Sequence, residues 1–302
     1  MRLRFIKQLV VLVCFISAAP VFATDSAGDK ASILHPKGLL WKIEKPDLRP
    51  SYIYGTMHVS HKDVVNLAAP VEKAFMNTER FAMEVLLDAK AYDIVASRTL
   101  FKNGRTLKDV MSPGDYKKLA AFMLTQFSMT EEIFSTMKPW VLFTLLMTPP
   151  EEWGKDNSAL DMVLYRRAES RKIPLLGLET IEEQLDVLDG LTLKEQIWML
   201  NKTVAEYEEI EKQFAVMYDA YLRRDLAGLF LMQQDSMYEE SDIDDKFMVQ
   251  LIDVRNHRMV ERMQVYLQQG NAFIAVGALH LPGEKGILHL LELQGFSVKA
   301  VY

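Results

Sequence analysis

The chain has 302 residues, of which 49% are apolar and 25% are charged, so its composition is typical of a globular protein with a sizeable core. Its formal net charge is −6, and the three basic residues of the first 23 positions face no acid there, so the rest of the chain is more acidic still. An acidic surface repels the phosphate backbone, and we therefore expect no nucleic-acid partner.

The first 23 residues follow the three-part pattern of a secretory signal peptide. A basic start, MRLRFIK, precedes an apolar stretch from Leu9 to Ala19, and the small residues Val21 and Ala23 predict cleavage after Ala23. The stretch is shorter than the ~20 residues that span a bilayer. We expect a periplasmic or secreted protein without a stable membrane span after cleavage; the alternative is an uncleaved anchor.

The only cysteine, Cys14, lies inside that apolar stretch. Cleavage would therefore leave a chain without disulfides, cysteine nucleophiles or thiolate metal ligands. Any metal ion would have to be held by His, Asp or Glu.

The first predicted elements after a polar lead-in at 24–37 are two strands. GLLWKIEK and SYIYGTMH alternate in polarity around the turn KPDLRP, which predicts a hairpin or two adjacent strands. Asn66 to Thr78 has the apolar spacing of a helix, and RFAMEVLL reads as a buried strand that contains Glu84.

Helical patterns dominate the middle of the chain, from Lys90 to about Thr148. KPWVLFTLLM is too short to cross a membrane and is predicted to be a core helix. SALDMVLYRRAESRK predicts an amphipathic helix, IPLLGL a buried strand and ETIEEQLDVLDG a helix. Two further helical regions run from about Leu193 to Leu231 and from Asp244 to Gln269.

The last segment reads as strand NAFIAVGALH, helix GILHLLELQG and strand FSVKAVY. Because both ends of the chain run strand, GxxH loop, helix, strand, we predict an α/β fold of mixed α+β type. Two related halves would form a central sheet region, with a large helical insertion at about 90–150 and 191–269. Residues 38–302 would form a single domain behind the signal peptide, 1–23, and a flexible lead-in, 24–37.

The GxxH spacing occurs twice, ending at His58 and at His280. We expect the glycines, Gly55 and Gly277, to let the backbone turn sharply out of a strand, which would place each histidine over the carboxyl edge of a sheet. Neutral imidazole at such an edge can bind a divalent cation. The alternative is that each histidine is a hydrogen-bonded structural residue.

Two glutamates and one aspartate are the acidic candidates. Glu84 lies inside an apolar strand, where a charge is costly unless it is paired or bound to metal. Glu179 follows another strand and is either a ligand or general base, or a charge that favours the helix start ETIEE. Asp161 is expected to be a solvated or paired carboxylate on a helix.

These motifs together resemble the TraB/GumN family, which includes Tiki-like and pheromone-shutdown-like proteins. The resemblance rests on YGTMH, AMEVLLD, KPW, GLETIEEQL, VRNHRM and AVGALHLPGEKGILHLLELQGFSV, in that order. It implies a fold related to the erythromycin-esterase and ChaN-like group, and a metal-dependent hydrolase site. Family positions map onto the following residues: His58, His280, Glu84, Glu179, Arg255 and Asn256.

Two positions depart from the family pattern. Ala159-Leu160-Asp161 stands where relatives often have Gly-x-Asp, and Arg224 replaces a common Gly-Asp. By itself, the helical spacing in LIDVRNHRM predicts surface ion pairs. With the resemblance, Arg255 is expected to face the site and hold a substrate carboxylate or Glu179, and Asn256 to orient a ligand or bond a carbonyl.

The predicted function is an exported peptidase-like or amidase-like hydrolase. His58, His280, Glu84 and Glu179 would hold Mn, Co, Zn or Fe, and the activated water would attack a carbonyl of a peptide or small-molecule substrate. One glutamate would relay the proton, while Arg255 or Asn256 stabilises the negative charge. The alternative is a non-catalytic protein that sequesters a peptide or metal complex. His61 is expected to lie at a solvated helix start, or else to add a ligand. The oligomeric state is not predicted.

Overall fold

The computed structural model describes residues 33–155, 158–236 and 246–302, so the predicted signal peptide lies outside the described residues. One six-stranded sheet organises this part of the chain. Its strands are β1 (Leu40–Glu44), β2 (Ser51–Thr56), β3 (Arg80–Met83), β4 (Leu175–Gly177), β5 (Ala272–Gly277) and β6 (Ser297–Ala300).

The sheet is mixed, with the order β4-β3-β5-β2-β1-β6. The first four strands in this order are parallel, whereas β1 is antiparallel to both of its neighbours. Strand β5 is buried at every residue because it lies in the middle of the parallel part. Strand β4 has three half-buried residues at the sheet edge, so the prediction of a fully buried strand there was wrong.

The predicted hairpin is confirmed: β1 and β2 pair antiparallel, with Trp41 opposite Ile53. Helices cover the sheet and fill the predicted helical regions, so the mixed α/β class is confirmed. The helices are α1 (Lys62–Val65), α2 (Ala69–Asn77), α3 (Ala89–Thr99), α4 (Pro113–Phe127), α5 (Glu131–Phe134), α6 (Pro139–Leu146), α7 (Leu160–Ser170), α8 (Ile181–Asp189), α9 (Leu193–Ala205), α10 (Tyr207–Leu222), α11 (Leu226–Ser236), α12 (Val254–Leu267) and α13 (Ile287–Leu293).

Helix α6 is buried along its whole length, as expected for a core helix. It begins at Pro139, which suits a first helical position because that residue's N–H would have no partner in the helix. Lys138 and Trp140 bind the same oxygen of Asp189 on α8, at 2.6 and 2.9 Å. The KPW motif therefore joins α6 to α8. No helix among the described residues is long and apolar enough to cross a membrane.

The end of the predicted lead-in is hydrogen-bonded to the rest of the domain. The carbonyls of Leu34 and Pro36 accept bonds from the backbone of Gly283 and Ala227, at 3.0 and 2.8 Å. The ring of His35 lies 3.1 Å from a carboxylate oxygen of Glu292. Residues 34–36 therefore pack against α11 and the segment around α13.

Candidate active site

The ends of the four parallel strands carry the four candidate metal ligands. Glu84 directly follows β3, and Glu179 lies two residues beyond β4. His58 lies two residues beyond β2, and His280 lies three residues beyond β5. Because these strands are neighbours, all four residues lie at one carboxyl edge, where ligands bind in open α/β sheets.

The two GxxH loops contact each other through Gly55. A Cβ atom on Gly55 would lie 2.8 Å from Leu281 Cδ1 and 3.1 Å from the Ala278 Cα. Neither motif glycine has a positive φ, so the predicted sharp turn is not the reason for glycine here. Glycine at position 55 instead allows the second loop to pack directly on β2.

His280 is fully buried, and Asn256 of α12 fixes its tautomer. The Asn256 amide nitrogen donates to the Lys285 carbonyl at 2.8 Å, so its oxygen must be the atom that lies 2.6 Å from His280 Nδ1. Nδ1 therefore carries the proton, and the lone pair is on Nε2, which has no hydrogen-bond partner. Burial, assisted by the charge of Arg255, lowers the pKa of His280 to about 3.

His58 is held at the same ring nitrogen by an acidic residue. Its Nδ1 lies 3.1 Å from Asp161 Oδ2, while Asp161 Oδ1 accepts from the Thr56 hydroxyl at 2.5 Å. A neutral His58 that donates from Nδ1 has its lone pair on Nε2. Asp161 is 2% exposed, so of the two alternatives for this residue the paired one is correct.

Two buried tyrosines, to which no sequence motif pointed, lie beneath the start of the His58 loop. Tyr221 of α10 donates to the carbonyl of Gly55 at 3.0 Å and is hydrogen-bonded to Tyr54 of β2. Burial raises the pKa of Tyr54 to about 12 and that of Tyr221 well above its usual range. Both phenols are therefore neutral and anchor the start of the loop.

Arg255 bridges the two candidate glutamates. Its Nη2 lies 2.7 Å from Glu84 Oε2, and its Nε lies 2.8 Å from Glu179 Oε2. All three side chains are at most 3% exposed. Burial alone would lower the pKa of Arg255, but the two carboxylates together raise it above its usual value. The cation and the acids thus compensate one another in the interior.

Further donors complete this network. Glu84 Oε1 accepts from the backbone N–H of Gly277 at 2.7 Å, and Gln184 of α8 donates to Glu84 at 3.2 Å. Arg258 donates to the second oxygen of Glu179 at 3.0 Å. No motif singled out Gln184, and the helical spacing of LIDVRNHRM predicted a surface ion pair for Arg258, whose side chain is 28% exposed.

Helix α12 turns Arg255 and Asn256 inward. Arg255 binds Glu179, as the family resemblance implied, and does not form the surface ion pair that the helical spacing alone predicted. A π-helical turn, Val249–Asp253, leads into this helix, and such turns are frequent at functional sites.

Glu179 lies just before helix α8 rather than in its first turn. Thr180 is the N-cap of α8, and Glu183 completes a capping box with it. Arg262 and the Thr180 N–H lower the pKa of Glu183 to about 2.

The residues fit a metal ion only in part. His280 Nε2 lies 3.8 Å from Glu84 Oε1, close enough for both atoms to hold one ion at zinc bond lengths of about 2.1 Å. Both oxygens of Glu179, however, accept from arginines. Within residues 33–155, 158–236 and 246–302, no group of three or more His, Cys, Asp or Glu side chains is arranged to hold a metal.

His61 lies apart from this network. It is the N-cap of α1, with its Nδ1 3.4 Å from the backbone N–H of Asp63, and its ring contacts Tyr218 of α10. Its side chain is 49% exposed, which agrees with the predicted solvated helix start.

Comparison with known proteins agrees with these motifs. The TraB/PrgY/gumN family model matches residues 39–300. The chain belongs to this family. No solved structure matches it.

Several curated relatives are named metalloproteases. Metalloprotease TIKI2 of Danio rerio is 23% identical over 313 residues, which cover 86% of this chain and 60% of that protein. Metalloprotease TIKI1 of Homo sapiens is 24% identical over 310 residues, covering 86% and 61%. An uncharacterized protein of Treponema pallidum (strain Nichols) is 21% identical over 306 residues, covering 94% and 90%. The chain thus spans about three fifths of the two metalloproteases.

Proposed function

We propose that this protein is an exported metal-dependent hydrolase that cleaves peptide or amide bonds. The observation that carries the proposal is the shared arrangement of two histidines at the ends of adjacent parallel strands. Each is held at Nδ1, by Asp161 or by Asn256, so that a neutral ring has its lone pair on Nε2. Partners that fix the tautomer in this way are typical of metal-binding histidines. The similarity to proteins named metalloproteases supports the same function.

His58 and His280 would hold the ion, with Glu84 Oε1 within reach of it. A divalent ion there would lower the pKa of a water molecule and so supply the nucleophile. Imidazole and carboxylate ligands suit Mn, Co, Zn or Fe. Glu179 is assigned to holding Arg255 and Arg258 rather than the ion, because both of its oxygens already accept from these cations.

The remaining residues would position and transfer charge. Glu84 is the better proton acceptor of the two glutamates because its Oε1 accepts from a backbone N–H, whereas both oxygens of Glu179 accept from arginines. Arg255 keeps Glu84 in place and is a positioning residue, since its guanidinium donates to Glu84, Glu179 and the Leu251 carbonyl. Asn256 is a positioning residue, since both ends of its amide are occupied by His280 and Lys285.

The test is to strip the purified protein of metal, reload it with each of the four ions and offer peptide libraries read by mass spectrometry. We expect cleavage that depends on the ion, and we expect His280→Ala to lose both bound metal and cleavage. His289→Ala is the matched control, because His289 lies on α13 and pairs with Glu292. Cleavage that survives both metal removal and His280→Ala would refute the proposal. Tight binding of a peptide that is recovered intact would favour the sequestering alternative.

Export is proposed from the signal-peptide pattern of residues 1–23 alone. N-terminal sequencing of protein from the cell envelope or medium should begin at Thr24. Intact protein that starts at Met1 and fractionates with the cytoplasm would contradict export without affecting the proposed chemistry.

A further inference from the structure

A cavity beside the His58 loop is not used by the proposed chemistry. Its volume is about 410 Å³, within the roughly 300–1,000 Å³ of pockets that take small ligands. Val59, which follows His58 in the sequence, and His61 form part of one wall. The loop is tied to another wall, because the backbone N–H of Ser60 donates to Glu152 at 2.7 Å.

The cavity has an apolar interior. Leu146 and Met147 from the end of α6 meet Ile210 and Phe214 of α10 across it. Apolar lining of this kind favours a large apolar side chain, because its transfer from water into the cavity is the main source of binding free energy.

The charged side chains around the cavity are all acidic. Glu151 and Glu152 come from a 3₁₀ turn, and Glu211 comes from α10. None of the described residues that line the cavity is Lys or Arg, and the other polar side chains of the lining include Tyr207, Tyr218 and His61. A neighbouring cationic group on the ligand would complement these carboxylates.

We infer that this cavity is a substrate subsite for a peptide that has a large apolar side chain next to Lys or Arg. The inference rests on the proposed hydrolase function, because it places the bound peptide beside the loop that carries His58. It deepens that function by naming the class of peptide: apolar at one position and basic at the next.

The test is isothermal titration calorimetry on metal-free protein with three blocked dipeptides, Phe-Lys, Phe-Glu and Gly-Lys. Phe-Lys should bind most tightly. Glu211→Gln should weaken it about two- to fivefold, the usual range for one exposed charge pair. Glu208→Gln is the control, since Glu208 is an exposed acid of the same helix outside the cavity lining.

A second variant fills the cavity. Ala215 is exposed and lines the cavity, so Ala215→Trp should fold and weaken Phe-Lys about tenfold or more by occupying the space of the apolar side chain. Val216→Trp is the control, because Val216 is 53% exposed on the same helix and does not line the cavity.

Equal binding of Phe-Lys and Phe-Glu, or equal effects of the two tryptophan substitutions on the binding of Phe-Lys, would overturn the subsite. Binding in the absence of metal separates the two proposals: selective binding without any cleavage on reloading would leave the subsite and remove the hydrolase.

Discussion

The two GxxH histidines occupy similar places in the fold but different surroundings. His58 is held by a carboxyl group, its side chain is 10% exposed, and its loop borders a cavity. His280 is held by an amide, is fully buried and adjoins the ion-paired glutamates. The repeat in the sequence therefore produces one partly exposed histidine beside a cavity and one fully buried histidine. A shared spacing fixes where a side chain leaves the sheet, and its neighbours on other elements fix what it does.

The largest effect should come from the interior side, with Arg255→Leu. This change leaves Glu84 and Glu179 buried without their shared cation and should lower the free energy of unfolding by about 3–5 kcal/mol. Urea denaturation measures the loss. Arg223→Leu removes a cation whose side chain is 59% exposed and should change stability little. Equal effects of the two changes would mean that the buried network does not stabilise the His280 side.

The next effect is a pH dependence on the His280 side. The pKa of His280 is about 3 in the folded protein and about 6.5 in the unfolded chain. Between pH 3 and pH 6.5 the unfolded chain therefore binds a proton at this ring that the folded protein does not bind. The stabilisation is complete above pH 6.5 and is lost as the pH falls towards 3. Metal-free protein should therefore lose about 2 kcal/mol of unfolding free energy between pH 7 and pH 5.

Denaturation of metal-free protein at pH 7, 6 and 5 tests this expectation, and a titration of the imidazole resonances by NMR assigns it. His280→Gln should flatten the profile, whereas His257→Gln, at an exposed position, should leave it unchanged. A His280 ring that titrates near pH 6.5 would show that burial does not lower the pKa of this histidine.

Much of the fold was predictable because local patterns and burial agreed. The alternation in GLLWKIEK and SYIYGTMH gave the hairpin, and the apolar run after Lys138 gave the core helix. Glu84 lies just beyond β3 rather than inside the predicted strand, but it could be singled out because a buried charge in an apolar segment needs a partner.

What could not be predicted depends on contacts between distant segments. Asp161 looks like any acid of an amphipathic helix, and only the packing of α7 against the His58 loop buries it. Arg258 and Gln184 join the network because α12 and α8 meet over Glu179. The reason for glycine at position 55 could not be predicted either. It is the close contact with the second GxxH loop, which comes from the far end of the chain.

A smaller effect is expected from changing the partner of His58. Asp161→Asn removes one of two oxygens that accept from Thr56 and His58, so it should cost about 1 kcal/mol of stability and weaken metal binding about tenfold or more. Asn256→Asp makes the opposite change at His280. Calorimetric metal titration of both variants measures the effects. Unchanged affinity in both would show that these partners do not set the metal-binding nitrogens.

The smallest effect is expected at His61→Ala. The ring caps a four-residue helix through one long hydrogen bond and lies outside the buried network, so the free energy of unfolding should change by less than about 0.5 kcal/mol. Metal content, measured by elemental analysis, should match the wild type. A clear loss of metal would instead make His61 a ligand and extend the His58 side of the site.

The position of β5 between β2 and β3 has a consequence for biosynthesis. Three of the parallel strands are made early or midway, but the strand that joins β2 to β3 is completed only at Gly277. Until this last central strand inserts, the early strands lack their common neighbour, and pairing over such long sequence separations is slow. A ribosome-bound chain of two hundred residues or so, on the order of a first domain's length, therefore carries the early loops without the late one. The site proposed above would therefore lack His280, and the partner strand that aligns β2 with β3, until β5 and the loop after it have been synthesised.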